Sequence, residues 1–131
     1  MRVVYLNVND NFVEIKNIKD DLQVFYDMID CRCVEMPERR IGNVGTHYFN
    51  IICDEEALLK EQPTISAVDN SMQPMLFGNL IICKVNYNTG NLKGLTEKEA
   101  EYVMKHIRNV TATNVRTLEK TTRWMLVECE Y

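Results

Sequence analysis

Long apolar runs, histidine and a strong excess of either charge are what this chain has little of. No apolar stretch approaches the ~20 residues that a helix needs to cross a bilayer. The N-terminus, Met1-Arg2-Val3-Val4-Tyr5-Leu6, is apolar only briefly before Asn7, Asn9, Asp10 and Asn11. A secretory leader needs a longer apolar core and a small-residue cleavage site, so the host-cell cytoplasm is the expected compartment and no membrane association is expected. The net charge is only −4 at pH 7. That excludes a strongly basic nucleic-acid surface, and it is too weak to suggest imitation of DNA. Direct nucleic-acid binding is therefore not expected. There are two histidines, His47 and His106, and neither stands in a local motif that pairs a nucleophile, a base and an orienting acid.

Cysteine is present but in an arrangement that argues against a metal or disulfide framework. Cys31, Cys33, Cys53, Cys83 and Cys129 are odd in number, and each lies in a β-like apolar stretch. Zinc sites pair cysteines across a gap of about two to four residues and need two such pairs. Here Cys31-Arg32-Cys33 is one close pair at the wrong spacing. The expectation is five small buried hydrophobes with no metal and no cofactor.

What is there is an ordinary globular balance: 131 residues, 46% hydrophobic and 26% charged. This is enough for a single core without staples. With no internal repeat and no linker, the chain reads as one α+β domain over residues 1–131, with 110–131 as a C-terminal strand or hairpin extension.

The period of the apolar residues sets the elements. Val3 to Val8 and Asn11 to Lys16 read as a hairpin around Asn9-Asp10, since Asn and Asp tolerate left-handed backbone angles. Leu22, Phe25, Tyr26 and Ile29 form one helical stripe, predicting a helix over about 19–29 capped by Asn17 or Asp20. Cys31 to Met36 reads as a strand stopped by Pro37, and Glu38 to Gly45 as an exposed turn. Thr46 to Cys53 returns as a strand. Asp54-Glu55-Glu56 then reads as the capped first turn of a short helix ending before Pro63. Residues 61–77 read as a long loop. Gly78 to Val85 is the clearest central strand, and Asn86 to Gly90 a turn. Leu95-Thr96-Glu97-Lys98-Glu99 opens a second helix with a staple and a capping box. The predicted architecture is a mixed, mainly antiparallel sheet of about five strands with two main helices packed on one face. Trp124-Met125-Leu126-Val127 is expected at a sheet edge, where it would pair across a homodimer axis.

Three segments carry a resemblance. The first is the hairpin and helix followed by Ile29-Asp30-Cys31-Arg32-Cys33-Val34-Glu35. The second is Ile51-Ile52-Cys53-Asp54-Glu55-Glu56-Ala57-Leu58-Leu59-Lys60, similar to an apolar strand, a "CNEEG"-type corner and a leucine segment. The third is Gly78-Asn79-Leu80-Ile81-Ile82-Cys83, then Gly90 and an "SLTEEE"-type helix start at Leu95-Thr96-Glu97-Lys98-Glu99. In this order they resemble a family of small domains of unknown function carried by bacteriophages, plasmids and other mobile elements of Gram-positive bacteria. The resemblance covers roughly residues 2–106. It departs after the acidic corner, where relatives tend to carry an "LPPNR"-like turn and this chain has Lys60-Glu61-Gln62-Pro63-Thr64-Ile65. The resemblance implies a setting rather than a chemistry.

One segment suggests a contact surface. Arg39 and Arg40 with Gly42, Asn43, Gly45 and His47 lie between Pro37 and a strand, where two guanidinium groups would suit a carboxylate or phosphate. The segment lacks both the P-loop ending and the dinucleotide glycine pattern. The reading that follows is a non-catalytic accessory protein that binds a host protein and blunts a host defence system. The alternatives are a binder of a small anionic ligand, such as a sponge for a nucleotide signal, and a small hydrolase with a dispersed site.

Overall fold

The computed structural model describes residues 1–42, 47–61, 63–113 and 116–131. In Val3-Val4-Tyr5-Leu6 both parities of the strand are apolar, which is stable only if both faces of a sheet are covered. β1 (Arg2–Asn7) accordingly buries every residue from Val3 to Asn7. It turns back at Asn11, whose φ is +56°, into β2 (Phe12–Asn17), pairing antiparallel as the Asn/Asp break predicts. α1 (Leu22–Ile29) is shorter than expected and is capped by Asp21, whose Oδ1 accepts from Gln23 N at 2.8 Å.

β3 (Val34–Glu35) and β4 (Glu38–Ile41) both pair antiparallel with β5 (Tyr48–Asp54), in one unbroken register from Val34↔Asp54 to Arg40↔Tyr48. Pro37 therefore interrupts a strand rather than ending it. Its carbonyl still accepts from Ile51 N at 3.0 Å, while its missing N–H leaves a gap in the ladder. A 3-10 turn (Ala57–Leu59) stands where a short helix was expected. Residues 61–77 are not a loop: β6 (Ile65–Val68) and β7 (Pro74–Phe77) form a hairpin. Asp69 Oδ1 holds its turn by accepting from Ser71 N and Gln73 N, both at 2.9 Å.

β8 (Leu80–Val85) lies between β5 and β1, as its continuous apolar run predicts. β9 (Leu92–Lys93) returns alongside it. α2 (Glu97–Lys105) starts with the expected capping box: Glu99 N donates to Thr96 Oγ1 at 3.1 Å, and Thr96 N donates to Glu99 Oε1 at 2.9 Å. β10 (Ile107–Thr113) and β11 (Lys120–Leu126) form an antiparallel hairpin, and β12 (Cys129–Glu130) closes the chain.

The expected five-stranded sheet with both helices on one face is overturned. Among the described residues there are two sheets. The larger runs β12-β4-β5-β8-β1-β2, with β3 also on β5 and β9 also on β8, and the smaller runs β10-β11-β6-β7. The helices take opposite faces of the larger sheet. Val3 and Tyr5 pack with Phe25 and Ile29 of α1, whereas Val4 and Leu6 pack with Ala100 and Val103 of α2. The second cluster also takes in Ala67, Leu76 and Leu126 of the smaller sheet. A strand apolar on both parities needs a cover on each side, so one face could not hold both helices.

The C-terminal strand is corrected as well. β11 is not an edge: it has β10 on one side and meets β6 in parallel at Leu126↔Ala67 on the other. Farther along that side, Asn11 stands in for a strand. Its Oδ1 accepts from Trp124 N at 2.9 Å and its Nδ2 donates to Thr122 O at 3.4 Å. Pairing of Trp124 to Val127 across a dimer axis thus loses its premise. Among the described residues, no helix is long and apolar enough to cross a membrane.

Candidate functional site

Successive side chains on a strand point to opposite faces. Arg39 and Arg40 lie on β4, so they diverge instead of forming a pair. Arg39 pairs across the ladder with Phe49, and its guanidinium lies 4.7 Å from the centre of the Tyr131 ring. Arg40 pairs across the ladder with Tyr48 on one side and Glu130 on the other. The exposed turn that was to present both arginines is a strand interior to the sheet. Asn43 and Gly45 lie outside the described residues. Gly42 and His47 are described, and they border a joint that the sequence did not announce.

That joint is built on Tyr102 of α2. Its ring lies between the two histidines, with centroids 4.5 Å from His47 and 4.6 Å from His106. Phe49 stacks beside it at 6.0 Å. The Tyr102 hydroxyl donates to Ile41 O at 2.6 Å. His106 Nδ1 is 2.8 Å from Tyr102 O and donates to it as the N–H tautomer, leaving Nε2 turned toward Glu128 Oε2 at 4.0 Å. Gly42 N donates to Glu128 O at 2.9 Å, and Val127 N to His106 O at 2.8 Å. The two histidines are therefore brought together, but around a tyrosine whose hydroxyl is already bonded. Burial and the Glu128 charge raise the Tyr102 hydroxyl above the ordinary tyrosine range, so it stays protonated. This is a structural seam between β4, α2 and the C-terminal segment. The only part of it that sequence spacing shows is Tyr102 and His106 at i and i+4 on one helix face.

The thiols divide into two groups. Cys53, Cys83 and Cys129 are buried, and Cys31 and Cys33 are partly exposed. Burial pushes Cys83 and Cys129 up to about 12 and raises Cys53 still further, helped by Glu35 beside it. Three thiols are thus held as S–H in apolar surroundings, which suits packing and not nucleophilic attack. A colorimetric thiol assay at pH 8 is expected to titrate two cysteines in the native protein and all five after denaturation. A third thiol reacting at the native rate would contradict the burial.

A different surface stands out in the segment 51–60. Ile51 and Ile52 are fully buried, Cys53 and Ala57 nearly so. Asp54 Oδ1 accepts from Glu56 N at 2.9 Å, and its Oδ2 lies 3.2 Å from Lys60 Nζ. Arg32 takes Glu56 in a fork, Nε–Oε1 at 2.9 Å and Nη2–Oε2 at 3.1 Å. This pairing holds the Glu56 carboxyl below the usual range. The acidic corner is thus spent on shaping the turn, as an Asx turn and a clasp to Arg32, and not on capping a regular helix.

Leu58 and Leu59 have no such use. They are 67% and 80% exposed at the tip of the 3-10 turn. Leu59 borders a cavity of about 380 Å³ that it shares with Cys31, Arg32, Asp54, Glu56 and Lys60. Leu58 borders another of about 110 Å³ that reaches Glu35, Cys53 and Phe77. Two adjacent leucines held out on a clasped turn, with a hollow on either side, form a ridge shaped for contact. The segment resemblance covers this stretch, but acidic caps and leucines at this spacing read equally well as a buried helix.

Comparison with curated proteins and with solved structures returns no match. A family model described as Domain of unknown function (DUF3846) matches residues 1–108, and the chain belongs to that family.

Proposed function

We propose that this chain is a non-catalytic accessory protein that acts by docking onto another protein in the host-cell cytoplasm, with Leu58 and Leu59 at the centre of the contact. In the phage or mobile-element setting implied by the sequence resemblance, the partner is a component of host defence and the outcome is its inhibition. The observation that carries the reading is the exposure of these two leucines on a turn clasped by the Asp54–Lys60 and Arg32–Glu56 pairs. Adjacent large apolar side chains held out on a surface gain from burial against a partner, because docking removes their apolar area from water. Tyr87, Leu118 and Tyr131 are exposed to a similar degree, but Leu58 and Leu59 are adjacent and border hollows, which favours this ridge as the contact.

The test is a comparison of the tagged protein with its Leu58→Ser/Leu59→Ser variant after crosslinking in a bacterial host. The variant is expected to melt as the wild type does, since side chains this exposed contribute little to their own fold. It should also lose at least tenfold in affinity for the crosslinked partner, about 1.4 kcal/mol. A folded variant that captures the same proteins with the same yield would remove this surface from the function.

A further inference from the structure

The chain as a whole is only mildly acidic, but the fold gathers the excess at the leucine ridge. Asp30, Glu35, Asp54, Glu55, Glu56 and Glu61 stand around it, and the cations among them are Arg32 and Lys60. Contacts show the proximity. Lys60 Nζ donates to Asp30 O at 3.4 Å and pairs with Asp54. Glu55 N donates to Cys33 O at 3.1 Å. Glu35 and Glu55 line the hollow beside Leu58. Both cations are already engaged by carboxylates in this corner. Arg39 is also near enough to act on Cys53 beside Glu35, so these side chains carry a net −3, against −4 for the entire chain. Among the described residues these carboxylates do not converge into a group that could hold a metal ion; they spread over a face, the scale on which a protein surface is recognised.

Resting on the docking role proposed above, we infer that the partner presents a basic protein face surrounding an apolar recess, into which Leu58 and Leu59 insert. The leucines supply the desolvated centre and the carboxylates the rim. Affinity then comes mostly from the apolar contact, while the charges orient the encounter and set its salt dependence. Glu56 is held by Arg32, the buried Asp54 by Lys60, and Glu35 accepts from Cys53 Sγ at 3.6 Å, so among the described residues the rim charges to test are Glu55 and Glu61.

The chemistry is tested on the full-length protein with two fluorescent amphipathic helical peptides, one of leucine and lysine and one of leucine and glutamate. Anisotropy is read at about 50 mM and about 300 mM salt, which shortens the screening length roughly twofold. The lysine peptide is expected to bind and to weaken at least fivefold at the higher salt. The glutamate peptide should not bind. Leu58→Ser/Leu59→Ser should weaken the lysine peptide at least tenfold, and Glu55→Gln/Glu61→Gln should flatten its salt dependence. Equal binding of both peptides overturns the inference, as does equal binding by wild type and the leucine variant. A dimer in light scattering that the leucine variant abolishes also overturns it, by making a second copy the occupant. Should crosslinking to a host protein depend on the leucines while the lysine peptide fails to bind, docking stands and the basic partner falls.

Discussion

Asn79→Ala should destabilise the protein by about 3 kcal/mol, lowering the melting temperature by roughly 10 °C for a chain of this size. Asn79 immediately precedes β8 and is only 2% exposed. Its Oδ1 accepts from Val8 N at 2.9 Å and from Asn9 N at 3.4 Å, and its Nδ2 donates to Met28 O at 3.0 Å. One side chain therefore ties the end of β1, the first turn and the end of α1 to the centre of the sheet. Alanine leaves the buried Val8 N–H without a partner, at a cost of about 1–3 kcal/mol, and removes two further bonds. The Met28 carbonyl retains the Tyr5 hydroxyl at 2.7 Å, which limits the loss on that side. Urea unfolding is the measurement. The midpoint should fall with the slope unchanged, because the surface exposed on unfolding is the same. A variant that melts within about 2 °C of the wild type would show that these ties are dispensable.

The sequence segments that carry the family resemblance are, at this level, largely fold-forming. Gly78-Asn79 with Leu80 to Cys83 is a central strand with its tie, Thr96 to Glu99 a capping box, and Asp54 to Glu56 a clasped turn. Elements whose signal is local were legible: the first hairpin from Asn9-Asp10, α2 from its cap, and β8 from its unbroken apolar run. What was not legible depends on partners distant in the chain. Pro37 reads as a stop, yet the strand register runs through it because β5 supplies the ladder on one side. Asp69-Asn70-Ser71 reads as loop, and the hairpin it closes is short and gains β11 as a sheet neighbour only through the fold. The apolar parity of β1 already required covers on both faces. Drawn to its end, that requirement would have separated the two helices. The meeting of His47 and His106 on Tyr102 had no sequence counterpart, since it follows from how β4 and β5 are laid against α2.

The family match ends within the first residues of β10, whereas the fold does not. Residues beyond 108 return to the matched part repeatedly: β12 pairs with β4 and β11 with β6, Glu128 O accepts from Gly42 N, Val127 N donates to His106 O, and the Asn11 amide bonds Thr122 and Trp124. Leu126 and Cys129 are completely buried in the cluster that also holds Val4, Phe49 and Val103. In this chain the C-terminal hairpin is thus part of the same core, and its removal would uncover α2 and the smaller sheet together.

Gly42→Ala is the other substitution with a large expected effect, about 3 kcal/mol, and its partner is identifiable. Gly42 has φ +88°, a region where an L side chain costs roughly 1 kcal/mol. A Cβ there would stand 2.2 Å from the Tyr102 hydroxyl oxygen, 3.1 Å from His106 Nε2 and 3.2 Å from Tyr102 Cζ. The hydroxyl cannot retreat without giving up Ile41 O, and the ring is held between His47 and His106. Overpacking against such a ring adds about 1–3 kcal/mol. Tyr102→Phe keeps the ring and removes only the oxygen, so alone it should cost about 1 kcal/mol for the lost bond. In that background the closest contact of the new methyl is gone, and Gly42→Ala should fall to about half its cost. The double-mutant cycle is therefore expected to close with a coupling of about 1–2 kcal/mol in favour of the pair. Additivity within about 0.5 kcal/mol would mean that backbone strain at Gly42, and not Tyr102, sets the requirement for glycine. Coupling of the expected size would establish that the Tyr102 hydroxyl, held by Ile41 O, sets the requirement for glycine at position 42.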